Sequence, residues 1–165
     1  AVTLMKRSAA AAPLALDTLP GHYIRRLQQI AVAVFLQETD PQGITPVQFA
    51  ALQSVADQPG IDQRTLAATI AFDTSTIASV IDRLEARGLL LRSVAPEDKR
   101  VRLLTLTRDG GKLLAAVVPG VLRAQERMLA PLRKIERAEF FRLLRTLVDA
   151  NNAHSRAPAG VAEAE

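Results

Sequence analysis

The chain has 165 residues, no cysteine, and 21 lysines and arginines against 17 aspartates and glutamates, a formal net charge of +4. This length suits one domain with a substantial core, and the lack of cysteine excludes disulfide bonds, thiolate metal sites and thiol-based redox sensing. The basic excess favours an anionic partner, nucleic acid first. The sequence contains no run of about 18 uncharged apolar residues, so it predicts no membrane span, and we expect a cytoplasmic protein.

Weakly patterned segments lie at both ends of the sequence. Residues 1–18 are rich in alanine, and although Lys6 and Arg7 precede small apolar residues as in a signal peptide, Pro13 interrupts the apolar part. Residues 153–165 are mostly small, contain proline and glycine, and are aperiodic. We therefore predict a flexible N-terminal arm at 1–18 and a flexible tail at 153–165.

Helix signals begin directly after the arm. Apolar residues at helical spacing between Ile24 and Phe35 predict a first helix near residues 20–38. Three further helix starts share one pattern, which is an apolar residue, a capping side chain, and a second apolar residue four positions after the cap. They are Ile44/Thr45/Phe49, Ile61/Asp62/Leu66 and Phe72/Asp73/Ile77. Each is typical of a hydrophobic staple around an N-cap, and Gln48 completes a capping box in the first.

The second and third of these starts lie close enough to form a helix-turn-helix. Two helices joined by a turn of three or four residues must share a small core. Suitable apolar residues are Leu66, Ile70, Phe72, Ile77 and Val80. Ala67 is small where the helices would cross, and Ala71 stands where many such turns carry glycine. The segment 63–84 is therefore predicted to be a helix-turn-helix.

The second helix of this pair carries polar side chains suited to reading DNA. They are Thr74, Ser75, Thr76 and Ser79 near its start and Arg83 a turn beyond. Short hydroxyl side chains let a helix N-terminus approach phosphates and base edges closely, and the helix dipole favours that contact. The alternative is that these residues only cap the helix and cover an ordinary solvated face.

A β-hairpin with a charged tip is predicted next. The second helix of the helix-turn-helix ends at Gly88, a suitable C-terminal cap. The β-prone runs LLLRSV and VRLLTLT then flank the loop that contains EDKR. A helix-turn-helix followed by such a hairpin is typical of a winged helix. We expect Lys99 or Arg100 to enter the minor groove of DNA and Asp98 to brace Arg100. The alternative is a charged turn that only keeps the hairpin soluble.

Two more helices complete the pattern. Thr107 begins a long helix, and the last helix carries apolar residues at positions i, i+3, i+4, i+7 and i+8 from Phe140 to Val148. Together with the first helix, they hold more apolar surface than a winged helix of about 70 residues could cover. A second copy of the chain, related by a two-fold axis, is the expected cover. The alternative is a bundle within one chain.

The segment from Ile44 to about Leu114 resembles the multiple-antibiotic-resistance regulator (MarR) family of bacterial transcription factors. Its most specific pieces are DRLEARGLLLR, the wing sequence DKR at residues 98–100, and LTRDGG from Leu106. The resemblance implies a homodimer whose first and last two helices intertwine, bound to a pseudo-palindromic DNA site through paired recognition helices and wings. It also implies repression as the usual outcome, and a pocket for an aromatic acid or phenolic effector between the winged helix and the dimer helices.

The sequence offers a possible effector site but no catalytic one. His22 and His154 lie far apart in the sequence, and no carboxylate–histidine cluster has metal-ligand spacing, so we predict no enzyme, metal or cofactor. The opening turns of the first helix carry His22, Tyr23, Arg25 and Arg26. A guanidinium there could hold the carboxylate of a small aromatic effector in a bidentate pair. The alternative is that Arg25 and Arg26 form salt bridges across the dimer or touch DNA.

The predicted fold is mainly α with a small β-hairpin, a winged helix-turn-helix plus a helical dimerisation domain formed by the first and last two helices. Residues 19–43 would hold the first dimerisation helix, 44–106 the DNA-binding domain, and 107–152 the C-terminal dimerisation helices. The predicted function is that of a ligand-responsive repressor that binds a specific double-stranded DNA site as a homodimer. The alternative is a winged-helix module that binds protein or coats DNA without sequence preference.

Overall fold

A computed structural model of the protein describes residues 14–160. The helices are α1 (Pro20–Glu38), α2 (Pro46–Asp57), α3 (Gln63–Thr69), α4 (Thr74–Ala86), α5 (Arg108–Leu129) and α6 (Lys134–Asn151), and the strands are β1 (Ile61–Asp62), β2 (Leu90–Val94) and β3 (Arg102–Leu106). Short 3-10 turns lie at Leu16–Thr18, Asp40–Gln42 and Asn152–His154. Of the predicted arm, residues 1–13 lie outside the described residues, and the remainder includes the first of these turns.

Side-chain caps begin α2, α3 and α4 as the sequence pattern predicts. The Thr45 hydroxyl accepts the backbone N–H of Gln48, whose side-chain oxygen accepts the N–H of Thr45, so the capping box is present. The carboxylate of Asp62 accepts the N–H of Thr65 at 2.9 Å, and that of Asp73 accepts the N–H of Thr76 at 2.8 Å. Each cap satisfies a backbone donor that has no partner within its helix.

The predicted hairpin is present as β2 and β3, and β1 extends it to a sheet of three antiparallel strands in the order β1-β3-β2. The two predicted strands pair from Leu90 opposite Leu106 to Val94 opposite Arg102. The added strand, β1, places Ile61 opposite Leu104. Its two residues are too few to show the alternation that marks a strand in sequence.

The core lies between α2, α3, α4 and the inner face of the sheet. Its fully buried large side chains include Leu52, Leu66, Ile77, Ile81, Leu84, Leu90 and Leu104. Phe72, which was predicted to be in this core, is instead 38% exposed. The chain reverses at Ala71, whose φ of 55° lies in the left-handed region, and the N–H of Phe72 then bonds to the carbonyl of Ala67 at 2.9 Å. This sharp turn leaves Phe72 at the rim of the core.

Helix α5 crosses the rest of the chain at two glycines. A Cβ atom at Gly110 would lie 2.0 Å from the carbonyl oxygen of Leu89, and one at Gly120 would lie 2.4 Å from the carbonyl oxygen of Glu38. Beside the second crossing, the Glu38 carboxylate pairs with Arg123 at 3.1 Å and Arg127 at 3.2 Å. The backbones therefore approach as closely as they do because neither glycine has a side chain.

Helix α6 contributes no buried residue. Its large apolar side chains include Ile135, Phe141, Leu147 and Val148, which are between 56 and 75% exposed. It lies across an open groove of about 630 Å³ from α1. The main apolar side chains in this groove are Ile24, Leu27, Ile30, Leu143, Leu144 and Leu147. A bundle closed within one chain would bury these side chains, and this chain leaves them open.

Residues 153–160, part of the predicted flexible tail, make specific contacts in the structure. The side-chain amide of Asn152 accepts the N–H of Ala159 at 2.9 Å and donates to its carbonyl at 3.0 Å. The N–H of Gly160 then bonds to the carbonyl of Ala68 in α3 at 3.0 Å. The segment therefore connects the end of α6 to the helix-turn-helix. Residues 161–165 lie outside the described residues.

Candidate nucleic-acid interface

The outer face of α4 carries the side chains that were predicted to contact DNA. Thr74, Ser75, Ser79 and Arg83 are exposed, and Thr76 is half-buried. The opposite face packs into the core through Ile77, Val80, Ile81 and Leu84. Because the apolar face anchors the helix, its polar face is held outward in a fixed orientation.

Asp73 controls two of the hydroxyl groups on this face. Ser75 Oγ donates to one of its carboxylate oxygens at 2.6 Å and Thr76 Oγ1 to the other at 2.7 Å. The Ser75 hydroxyl, the Thr76 N–H and the Thr76 hydroxyl together hold the pKa of Asp73 well below its usual range. The carboxylate therefore stays charged at neutral pH. Because the protons of the two hydroxyls are engaged with it, these hydroxyls can serve DNA only as acceptors, which suits base amino groups.

The wing tip presents Arg100 in a braced position. Its side chain is 91% exposed, while the Asp98 carboxylate accepts its backbone N–H at 2.9 Å, Nε at 3.2 Å and Nη2 at 3.1 Å. These bonds hold the pKa of Asp98 below its usual range. The predicted brace is confirmed. Lys99 is also exposed, and its carbonyl accepts Arg102 Nη1 at 2.7 Å, which closes the turn.

Arg92, which we did not single out from the sequence, joins the wing to the recognition helix. This residue of β2 places Nη2 2.7 Å from Asp82 Oδ1 and Nε 2.9 Å from Glu85 Oε2, both on α4. The hydrogen bond from Arg92 holds the pKa of Glu85 below its usual range. The i, i+3 spacing of the two acids, with an arginine on the next strand, is the signal that could have found this bridge.

A surface depression of about 370 Å³ separates the wing from the helix-turn-helix. It is lined by Asp62, Gln63, Arg64, Thr74, Arg100, Val101 and Arg102. The depression brings the first residue of α4 and the wing arginine Arg100 to one concave surface. It also adds Arg64 and Arg102, two cationic residues that were not among the predicted contacts.

The four predicted effector residues separate into two pairs. Tyr23 and Arg26 line the groove between α1 and α6, whereas His22 and Arg25 are not among its lining residues. Arg25 Nη1 donates to the side chain of Gln29 on the same helix at 3.2 Å.

Among residues 14–160, no group of three or more histidine, aspartate or glutamate side chains is placed to hold a metal ion, and no helix is long and apolar enough to cross a membrane.

Comparison with known proteins agrees with this architecture. The sequence model of the MarR family matches residues 44–101. The transcriptional repressor NicR of Pseudomonas putida is 34% identical over 132 residues, which cover 79% of this chain and 83% of NicR.

Two solved structures share the fold over most of their length. The PcaV regulator of Streptomyces coelicolor in complex with its natural ligand is 39% identical, with a TM-score of 0.79, and the match covers 84% of this chain and 98% of PcaV. BpsR of Bordetella bronchiseptica, whose DNA binding is regulated by 6-hydroxynicotinic acid, is 34% identical, with a TM-score of 0.79. This match covers 84% of this chain and 99% of BpsR. The chain therefore belongs to the MarR family and is a DNA-binding transcriptional regulator with a winged helix-turn-helix fold.

Proposed function

We propose that this regulator is a cytoplasmic, ligand-responsive repressor that binds a pseudo-palindromic operator as a homodimer and catalyses no reaction. The observation that carries the DNA-binding part is the shared concave surface on which the start of α4 meets the braced Arg100. On this surface α4 enters a major groove, where Thr74, Ser75, Thr76, Ser79 and Arg83 face base edges and phosphates. Asp98 holds Arg100 toward the adjacent minor groove, with Lys99 beside it.

The exposed apolar face of α6 supports the homodimer. Leu147 and Val148 are 56 and 64% exposed, and burying a large aliphatic side chain contributes about 1.5–3 kcal/mol. A second copy that covers the α1 and α6 faces through a two-fold axis would bury both copies of this surface at once. The axis would also set two recognition helices about one DNA turn apart, so the site would be an inverted repeat.

Footprinting tests this function. Purified protein is incubated with DNA from its own genomic neighbourhood at physiological salt, with excess competitor DNA, and its mass in solution is measured by sedimentation. We expect a dimer and a protected inverted repeat. Uniform weak coating, or protection only without competitor, would favour the protein-binding or DNA-coating alternative.

Two variants separate positioning contacts from base contacts on that operator. Arg100→Ala should weaken binding and lower the slope of log affinity against log salt by about one unit, because one cation no longer displaces counterions. Ser75→Ala should change base preference at one position of each half-site with little change in salt slope. Equilibrium binding at several salt concentrations, with single-base operator variants, measures both effects. If neither substitution affects DNA binding, the assignment of this face is wrong.

We propose the groove between α1 and α6 as the effector site, with an aromatic acid as ligand. Its walls are apolar and Arg26 lies at its lining beside Tyr23, so an aromatic ring would meet apolar side chains and its carboxylate a guanidinium. The regulation of BpsR by 6-hydroxynicotinic acid supports this ligand class. Since the second copy would close the open side of this groove, an occupant would lie at the dimer interface and could change the spacing of the two recognition helices.

Arg26 and Arg25 provide a matched pair for testing this site. We expect Arg26→Ala to weaken binding of an aromatic carboxylate such as 6-hydroxynicotinate at least tenfold, since a hydrogen bond to a charged group contributes about 1.5–3 kcal/mol. Arg25→Ala, which removes the same charge one residue away and outside the groove, should leave the affinity unchanged. Calorimetry with a panel of aromatic acids gives both values. Equal affinities for wild type and Arg26→Ala would exclude this site.

A further inference from the structure

We propose that the depression between the wing and the helix-turn-helix is a phosphate clamp, in which Arg64 and Arg102 hold the DNA strand that separates the two contacted grooves. This inference rests on the proposed function and adds a contact site to it. The ligand is a phosphodiester of the operator backbone, and the clamp positions the DNA without reading its sequence.

The location of the depression follows from how a duplex must lie on this surface. Thr74, at the start of the recognition helix, and Arg100, at the wing tip, line the same depression. In B-DNA one sugar–phosphate strand forms the ridge between a major groove and the adjacent minor groove. With α4 in the first groove and Arg100 in the second, this ridge crosses the depression.

The charge of the lining fits that ridge. Three guanidinium groups line the depression, from Arg64, Arg100 and Arg102, against one carboxylate, from Asp62. The Asp62 carboxylate is engaged within α3, where it accepts both the N–H and the hydroxyl of Thr65. The Thr74 hydroxyl and the Gln63 amide add neutral donors at the same surface. The lining therefore keeps a cationic excess toward a phosphate.

Arg64 is available to contact a ligand. It is exposed, and among residues 14–160 its guanidinium has no hydrogen-bond or ion-pair partner in the structure. It also lies in the first turn of α3, where a cation is disfavoured by the helix dipole. Its side chain thus contributes nothing visible to the fold, while all of its donors remain free for a ligand.

Arg102 differs because it is partly committed. Its Nη1 donates to the Lys99 carbonyl at 2.7 Å, which fixes the guanidinium against the wing turn. The remaining N–H groups stay available, so this residue acts as a preoriented second half of the clamp. Substitution of Arg102 would loosen the wing as well as remove a charge, and Arg64 is therefore the cleaner position for a test.

The test compares Arg64→Ala with Arg108→Ala, which removes the same charge at the first residue of α5, beyond the end of β3 that lies away from the wing tip. Binding is measured from low to physiological salt on the operator defined by footprinting and on a random duplex of equal length. We expect Arg64→Ala to weaken binding several-fold on both duplexes and to lower the salt slope by about one unit, whereas Arg108→Ala changes neither. Arg64→Lys should recover most of the salt slope.

Single methylphosphonate substitutions along the operator locate the contact. One neutral linkage, between the bases facing α4 and those facing the wing, should weaken wild type and have a smaller effect on Arg64→Ala, in which only Arg102 still contacts that phosphate. If Arg64→Ala matches Arg108→Ala, or if every linkage affects both proteins equally, the clamp is wrong and the proposed function stands. If wild type shows no preference for any duplex, the proposed function itself fails.

Discussion

Gly110→Ala is expected to destabilise the protein by about 3 kcal/mol, near the upper range for overpacked sites. The new Cβ would lie 2.0 Å from the carbonyl oxygen of Leu89, and that oxygen also accepts the N–H of Thr107 at 3.1 Å. The Thr107 hydroxyl, in turn, donates to the Gly88 carbonyl at 2.6 Å and caps α5 at the N–H of Gly110. Displacing the start of α5 would therefore strain two bonds that attach the helix to the end of the recognition helix, together with the N-cap of α5 itself.

Gly111→Ala is the matched control, because a Cβ at Gly111 would meet no atom within 4 Å. Replacing a glycine inside a helix by alanine should stabilise the protein by about 0.5–1 kcal/mol. Thermal unfolding should thus show a melting temperature lowered by about 6–12 °C for Gly110→Ala and raised by about 2 °C for Gly111→Ala. Similar shifts for both would mean that the two backbones can separate at little cost.

Arg92→Met is expected to weaken operator binding by about 10- to 50-fold while it lowers stability only slightly. The substitution leaves Asp82 and Glu85 on α4 without their shared cation, and an uncompensated carboxylate near a phosphate costs about 1 kcal/mol even at the dielectric constant of water. The three side chains of the bridge are partly exposed, between 28 and 60%, so its own contribution to folding is modest. The wing would also lose its link to the recognition helix.

A second substitution separates these two causes. In the Arg92→Met background, Asp82→Asn removes one repulsive charge without restoring the link, so recovery of affinity measures the electrostatic part. Binding at low and high salt gives an independent check, because screening reduces the repulsion. If Arg92→Met binds the operator with wild-type affinity at both salt concentrations, the bridge neither compensates the carboxylates of α4 nor positions the wing for DNA binding.

Local capping chemistry explains why most of the winged helix could be predicted from sequence. Thr45, Asp62 and Asp73 each stand one residue before a helix and accept its N–H groups as expected, because a cap depends on neighbours within about four positions. Asp98 braces Arg100 for the same reason, since the two residues lie in one turn.

Features that depend on long-range contacts were missed. The bridge from Arg92 to Asp82 and the depression that joins Arg64 to Arg102 arise only when separate elements fold together. Phe72 shows the converse error, since helical spacing placed it in the core but the left-handed turn at Ala71 moved it to the rim. A local pattern specifies neither the partner of a side chain nor the angle at which two helices meet.

The contact between Gly160 and Ala68 has a practical consequence for following this regulator in solution. The Asn152–Gly160 segment begins at α6 and ends on α3, so it spans two parts of the molecule whose relative position the proposed effector would change. Since the chain lacks cysteine, exposed Ser155 and Thr69 can each be replaced by cysteine and given a spin label without background reaction. The distance between the labels would then measure how far the helix-turn-helix moves relative to the end of α6.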